Sequence, residues 1–185
     1  MSLEQYARER GEFRTRMIAY RQQRQLSVGP HCTWSFEDRQ TVQYQIQEML
    51  RTERIFEPDG IAEELSVYNS LVPDGSNLKA TLLIEFVDPV ERTRQLTQLR
   101  GFERECWIRV HGFEPVFAIA DEDLPRENDT KTSAVHFLRF EFAAPMIAGL
   151  KGGAALAAGV ALPNYRHSIE PLPEPLRRAL LQDFD

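Results

Sequence analysis

The side chains that most suggest a binding surface occur in one stretch, FEDRQTVQYQIQEMLRTER, over residues 36–54. Its apolar residues recur with the period of a helix, and at 100° per residue they share one side. The opposite side carries hydrogen-bonding groups: Gln40, Tyr44, Gln47, Glu48 and Arg51. A helix that only faces water would normally carry good helix formers such as Lys, Glu and Ala there. Because Tyr and Arg are enriched in packed interfaces, a solvated face, a protein interface and the wall of a ligand pocket all stay open.

A second candidate for chemistry is Glu85, which lies within the apolar sequence KATLLIEFVD. This sequence predicts a central strand, where a carboxylate is unfavourable unless it is paired. Arg109 and Arg139 occupy comparable positions in two other predicted strands. We therefore expect either a structural ion pair between Glu85 and one of these arginines, or a pocket floor that binds an anion or a polar substrate.

These candidates could together form one polar pocket for a small molecule, with Glu85 or His136 as a general acid or base. Its side chains would be Arg39, Tyr44, Glu48, Glu85, His136 and Arg139. The chain has no glycine-rich phosphate loop, no Cys-x-x-Cys, no His-Glu-x-x-His and no Gly-x-Ser-x-Gly sequence. The pattern therefore leaves open whether such a pocket would belong to an enzyme or to a binding protein.

Metal and thiol chemistry has weaker support in the sequence. A mononuclear metal site drawn from His31, Cys32, Glu85 and His136 is conceivable across strands, but these residues lack the regular spacing of known metal motifs. We predict no metal and no cofactor. The two cysteines, Cys32 and Cys106, do not make a disulfide framework, so we expect buried thiols in a reducing compartment. The Gly-Pro turn beside Cys32 leaves room for that thiol to be exposed.

Composition and charge restrict the classes of partner. The net charge of −6 argues against a nucleic-acid-binding surface, which normally needs a basic face. The longest apolar run is far shorter than the ~20 residues that cross a bilayer, so no membrane association is expected. The first residues contain no apolar signal segment, which favours the cytoplasm. Residues 1–24 carry six arginines against three glutamates, the pattern of a solvated helix or of a partner surface.

The order of the predicted elements gives the fold class. A long helix begins near residue 3, Asp38 is placed to cap the polar helix, and a third helix follows Pro58 with Ile61, Leu65, Tyr68 and Val72 on one face. Strands linked as hairpins then dominate, interrupted by a polar loop over residues 121–131. This order predicts one α+β domain over residues 1–185. Its mainly antiparallel sheet would have about five to six strands, with the long N-terminal helix and two or three further helices packed on one face.

Three segments resemble a bacterial family of uncharacterised proteins, domain of unknown function 3501. The segments are FEDRQTVQYQIQEMLRTERI, ATLLIEFVD and SAVHFLRFEF, and the resemblance extends over nearly the whole chain from YARERGEFRTRMI. The family has no established activity, so the resemblance implies no catalytic residues. Genes of this family often lie beside rubrerythrin-like proteins and iron–sulfur oxidoreductase subunits. The resemblance therefore implies an accessory role in a redox or peroxide-defence system, an association rather than a mechanism.

Two functions follow as hypotheses. The first is a non-catalytic accessory or interaction protein, which binds a protein partner or a second copy of itself through the polar helix and the arginine-rich N-terminal helix. The alternative is an enzyme, or a protein that binds a small molecule or an anion, with the Arg/Glu/His pocket as its site. A mononuclear metal-binding protein is a weaker third possibility.

Overall fold

The structure, a computed structural model, describes residues 1–123, 126–128 and 130–185. Within them the helices are α1 Leu3–Gln22, α2 Arg39–Glu53, α3 Pro58–Asn69, α4 Pro89–Gln98, α5 Ala144–Lys151 and α6 Glu174–Leu181. The strands are β1 Gln25–Ser27, β2 Cys32–Glu37, β3 Asn77–Ile84, β4 Cys106–Val110, β5 Val116–Phe117, β6 Ile119–Ala120, β7 Val135–Glu141, β8 Leu156–Leu162 and β9 Tyr165–Ile169. Part of the predicted loop over residues 121–131 lies outside the described residues.

The strands form two antiparallel sheets, which confirms the predicted α+β class. One sheet has the order β1-β2-β3-β7-β6 and the other the order β5-β4-β8-β9. The chain passes from one sheet to the other between β3 and β4, at Ala118 between β5 and β6, and between β7 and β8. A single sequence that alternates polar and apolar residues does not say which sheet a strand joins. The strands were therefore recognisable, but their division between two sheets was not.

The main core lies on the inward faces of both sheets. In β3 the buried residues alternate with half-buried ones, because successive side chains of a strand point to opposite faces. Leu78, Ala80 and Leu82 of β3 share one hydrophobic cluster with Ile108 of β4 and Ala158 of β8. The face of the five-stranded sheet that points away from this cluster carries polar and charged side chains together with Val135 and Phe137, and the helices α1–α3 contribute residues to a cavity over it.

Helix α2 packs between α1 and α3. Its Val42, Ile46 and Leu50 join residues of α3 in one cluster, while Tyr44 joins Tyr6 and Met17 of α1 in another. The predicted cap is present, since Asp38 Oδ1 accepts hydrogen bonds from the backbone N–H groups of residues 40 and 41, both at 2.9 Å. Both sides of α2 are thus used within the chain.

Helix α3 has no fully buried residue. The predicted apolar stripe is only partly used, because Ile61 and Tyr68 pack against α2 whereas Leu65 is 40% exposed. A pattern of period 3.6 identifies an amphipathic helix but not the depth to which its apolar side is covered. No helix formed by the described residues is long and apolar enough to cross a bilayer.

Candidate functional site

The site begins with a row of charged side chains across the outward face of the five-stranded sheet. Glu37 of β2 is the register partner of Lys79 of β3, and Lys79 is the register partner of Arg139 of β7. The next row contains Thr81 and Phe137, again as cross-strand partners. Side chains at such positions lie side by side on one face. The antiparallel register therefore gathers residues that are more than 100 positions apart in sequence.

Glu37 is a buried carboxylate without an ion-pair partner among the described residues. Its side chain is held by two hydroxyl groups: Thr81 Oγ1 donates to Oε1 at 2.7 Å and Thr41 Oγ1 donates to Oε2 at 2.6 Å. The residue is only 8% exposed. Buried carboxylates are normally paired with a cation, so Glu37 is unusual in retaining only neutral hydrogen-bond donors.

Glu37 lines a cavity of about 210 Å³ between the sheet and the first three helices. Its walls combine one carboxylate, one arginine, amide and hydroxyl groups, aliphatic side chains and two aromatic rings. They are formed by Arg21, Glu37, Val42, Gln45, Tyr68, Leu71, Thr81, Val135 and Phe137. The guanidinium of Arg21 lies outside ion-pair distance of Glu37. The result is a concave, largely apolar space with one preorganised anionic group, a common form of small-molecule site.

A second cavity of about 180 Å³ adjoins the first, since both are lined by Leu71 and Phe137. Its remaining lining includes Lys79 and Arg139. Arg139 is bound bidentately by Glu122, with both N–O distances 2.7 Å, and is also paired with Glu141. Lys79 instead donates a hydrogen bond to the backbone carbonyl of residue 70. The outward face of the sheet thus carries a carboxylate beside one cavity and an ammonium group beside the other.

The polar side of α2 is occupied by α1. Glu48 accepts hydrogen bonds from Arg10 Nε and Nη2, each at 2.7 Å, and from the Tyr6 hydroxyl. The Arg10 hydrogen bonds lower the pKa of Glu48, while burial and the bond to Glu48 raise the pKa of Tyr6. Gln47 donates to the backbone carbonyl of residue 1 at 3.0 Å, and Tyr44 packs among the aromatic residues of α1.

Arg39 and Gln40 are exposed and line an open, acidic cavity of about 490 Å³. Below it lies the buried Arg24, which donates to the carbonyl of residue 36 at 3.1 Å and pairs with the Asp183 carboxylate. Burial raises the pKa of Asp183 to about 6, although Arg24 opposes the rise. Burial and a hydrogen bond to Asp38 raise the pKa of Tyr20 to about 12. These groups satisfy one another, so the cavity floor is mainly a structural network.

Comparison with protein families identifies the family to which the chain belongs. Residues 1–184 match a family described as protein of unknown function (DUF3501). The chain belongs to the DUF3501 family. A crystal structure at 1.90 Å resolution, described as a novel protein of unknown function from Burkholderia pseudomallei K96243, is similar with a TM-score of 0.94. The two sequences are 46% identical, and the match covers 100% of this chain and 96% of the other. No curated protein matched the chain.

This DUF3501 protein does not bring the six residues of the predicted Arg/Glu/His pocket together. Glu48 is bound to α1, and His136 is fully buried on the inward face of β7, opposite Arg139. His136 Nδ1 lies 2.6 Å from Asp121 Oδ2, and Nε2 lies 2.9 Å from the hydroxyl of residue 132. Because strand alternation separates His136 from Arg139, they cannot face one cleft. Arg51 is exposed at the end of α2.

The predicted ion pair of Glu85 is wrong. Glu85 lies just beyond β3, is exposed, and accepts a hydrogen bond from Thr33 Oγ1 at 2.6 Å. Arg109 pairs with Glu170, and Arg139 pairs with Glu122 and Glu141. Because the strand ends at Ile84, Glu85 reaches solvent and needs no cation.

The conceivable metal ligands of this DUF3501 protein also do not form a metal site. Across the described part of the chain, no group of three or more His, Cys, Asp or Glu side chains could hold a metal ion. Both cysteines are buried free thiols, which confirms the prediction of buried thiols. Burial raises the pKa of Cys32 to about 12. Cys32 is therefore not exposed beside its turn, and its thiolate is disfavoured at neutral pH.

Glu37 was missed because its sequence context is ordinary. It ends the strand CTWSFE directly before the helix cap Asp38, where a carboxylate is common. The available signal was alternation: Thr33, Ser35 and Glu37 occupy one polar face of β2. The helices that cover this face are distant in sequence, so the pattern could not indicate that the end of the polar stripe is buried.

Proposed function

We propose that this protein binds a small organic cation in the cavity lined by Glu37. One observation carries the proposal: a buried carboxylate, with no ion pair among the described residues, lies on the wall of a partly aromatic cavity. The proposal develops the alternative of a small-molecule-binding protein, with Glu37 in place of the dispersed Arg/Glu/His set.

The chemistry of the cavity favours an ammonium group. Each carboxylate oxygen of Glu37 accepts one hydroxyl hydrogen bond and retains a lone pair for a further donor. Removing a carboxylate from water is unfavourable unless a cation compensates it. Tyr68 and Phe137 can contact the cation or its carbon chain through their rings. A ligand with a positive head and an apolar body would satisfy both parts of the wall.

The proposal also includes a cellular role for the ligand-binding protein. We propose an accessory role in a redox or peroxide-defence system, as the resemblance to the family implies, and ligand binding without chemistry is compatible with it. A cytoplasmic location is supported by the free thiols Cys32 and Cys106.

Calorimetric titration of the purified chain with amines tests the proposal. The probes are butylamine, hexylamine and phenethylamine, with the corresponding alcohols as neutral controls. We expect the amines to bind and the alcohols to bind at least about tenfold more weakly. Glu37→Gln should abolish the preference for amines, while the matched control Glu85→Gln, an exposed carboxylate beyond the same sheet, should retain it. Equal binding of amines by the wild type and Glu37→Gln would overturn the proposal.

Self-association is the second candidate function, and α3 supports it. Phe56, Leu65 and Val67 are 65%, 40% and 57% exposed on or beside this helix. Residues 55–78 carry five carboxylates and no Lys, Arg or His, whereas residues 1–24 carry six arginines against three glutamates, with Arg24 buried and Arg10 bound to Glu48. We infer a partner with a basic surface, and α1 of a second copy offers one.

A further inference from the structure

We infer that the ligand carries an anionic group in addition to its ammonium group, and that Lys79 binds the anion. The ligand class is then an amphoteric molecule, such as an ω-amino acid, whose opposite charges are separated by an apolar chain. This inference rests on the proposed function and names the substrate class of the same site.

Lys79 is the natural anchor for the anion. It is half-buried, faces the same side of the sheet as Glu37, and forms no ion pair with any residue the structure describes. Its ammonium group donates to the backbone carbonyl of residue 70 at the end of α3. A neutral carbonyl takes one donor and leaves two available, since an ammonium group has three. Glu122 and Asp74 interact with the Lys79 charge at longer range, but neither forms an ion pair with it.

Direct pairing of Glu37 with Lys79 would have been easy, because they are cross-strand register partners. Oppositely charged side chains at such positions commonly stabilise a sheet by pairing. Here Thr41 and Thr81 hold the carboxylate, while the carbonyl of residue 70 holds the ammonium group. The chain thus keeps two complementary charges apart on one surface, and a ligand with both charges can bridge them.

The space between the two charges fits an apolar spacer. Leu71 and Phe137 belong to the walls of both cavities, and so lie where the two cavities meet. Methylene groups that pack there would be removed from water, which favours binding. A glycine-like molecule, whose charges are adjacent, would leave this apolar junction unfilled.

The other charged groups of the second cavity do not compete strongly for the anion. Glu122 is bound bidentately by Arg139, and Asp123 is bound by Arg126 with an N–O distance of 2.7 Å. These carboxylates are neutralised locally by their arginines. Of the two cations that line the second cavity, Lys79 is therefore the one without an ion pair to a described residue.

A chain-length series tests the inference by calorimetry on the full chain. The amphoteric probes are glycine, γ-aminobutyrate, ε-aminocaproate and ω-aminocaprylate, and each is compared with the n-alkylamine of equal carbon number. We expect affinity for the amino acids to pass through a maximum at an intermediate length. At that length the amino acid should bind at least about tenfold more tightly than its amine, which is ~1.4 kcal/mol.

Two substitutions separate this inference from the proposal on which it rests. Lys79→Met should reduce binding of the best amino acid by about tenfold and leave its amine unchanged, while Lys79→Arg should restore most of the loss. Amines that bind as tightly as the amino acids, with no effect of Lys79→Met, would overturn the inference and leave the organic-cation site standing. If no amine or amino acid binds, both proposals fail. Circular dichroism melting confirms that each variant folds.

Discussion

At the scale of single residues, three glutamates show how environment decides the role of a carboxylate. Glu48 is compensated by a bidentate arginine, and Glu85 is exposed to water. Glu37 is buried, and among the described residues only two hydroxyl groups donate to it. The same side chain is a structural link in the first case, a surface group in the second and, in the third, a buried carboxylate that is hydrogen-bonded but forms no ion pair with a described residue. Only the third arrangement calls for a ligand.

Asp183 gives a residue-scale prediction about pH. Because its pKa is raised to about 6 in the folded chain, the folded state binds the proton more tightly than the unfolded state. The stability it contributes is present below the unfolded pKa and is lost as the pH rises through about 6. The unfolding free energy of the wild type minus that of Asp183→Asn should therefore fall by up to about 3 kcal/mol from pH ~4 to ~6.5.

Urea unfolding at several pH values checks this prediction, with the exposed Asp185→Asn as a control on the same segment. The control should show no comparable trend. A difference between wild type and Asp183→Asn that grows as the pH rises would contradict the assignment of a raised pKa.

At the scale of elements, helix α2 is a structural layer with two packed sides. The apolar side contacts α3 and the polar side contacts α1, so the unusual composition of its polar side is explained inside the chain. The side-chain types indicated an interface, but helical periodicity does not identify the partner. Placing α1 there required the tertiary structure.

The contact between α1 and α2 should depend on Glu48. Glu48→Gln removes the negative charge that accepts two hydrogen bonds from Arg10. Hydrogen bonds to charged groups contribute about 1.5–3 kcal/mol to stability. We expect a loss of about 2 kcal/mol at pH 7 in chemical denaturation, against little change for the exposed Glu53→Gln. The pKa of Glu48 is lowered, so the loss should disappear as the pH falls through that pKa. Equal stability of the two variants at pH 7 would refute this assignment.

Elements were more predictable than sites, for a physical reason. The cap at Asp38 and the strand predicted within KATLLIEFVD are local signals, and the structure confirms both. The candidate site depends on cross-strand register between residues 37, 79 and 139, which no local pattern encodes. Its burial depends further on three helices that cover the sheet. Local sequence patterns therefore identify the helices and strands, whereas the cavity depends on long-range contacts that these patterns do not encode.

At the scale of the whole molecule, the two sheets are joined by Tyr165. Its hydroxyl donates to the carbonyl of Val28 at 3.0 Å and accepts from the backbone N–H of His31 at 2.9 Å. Tyr165 belongs to β9, whereas Val28 and His31 lie between β1 and β2. One side chain thus satisfies two backbone groups in the connection between two strands of the other sheet.

Tyr165→Phe should isolate the effect of that hydroxyl, because the ring can keep its packing against Phe102. Two backbone groups would lose their partner, and we expect a loss of about 1–3 kcal/mol in unfolding free energy. Thermal and urea unfolding measure it, with the exposed Ser168→Ala of the same strand as control. A stability equal to that of wild type would show that the hydroxyl does not join the sheets.

Self-association is also a property of the whole molecule. If α3 meets the basic α1 of a second copy, light scattering should show a dimer that dissociates as salt rises to ~1 M, where charges are screened within about 3 Å. Arg16→Glu, at an exposed position of α1, should weaken the dimer, while Arg178→Glu on α6 should not. A monomer under all conditions would exclude this candidate.

The central claim is that Glu37 is an uncompensated buried anion kept for a ligand. Its most direct test needs no ligand: the unfolding free energy of Glu37→Gln at pH 7, measured against wild type in the absence of amines. Gln keeps the shape and removes the charge, so we predict that the variant is more stable by about 1–2 kcal/mol. A Glu37→Gln variant that is less stable than wild type would show that the carboxylate stabilises the fold, and would contradict the account.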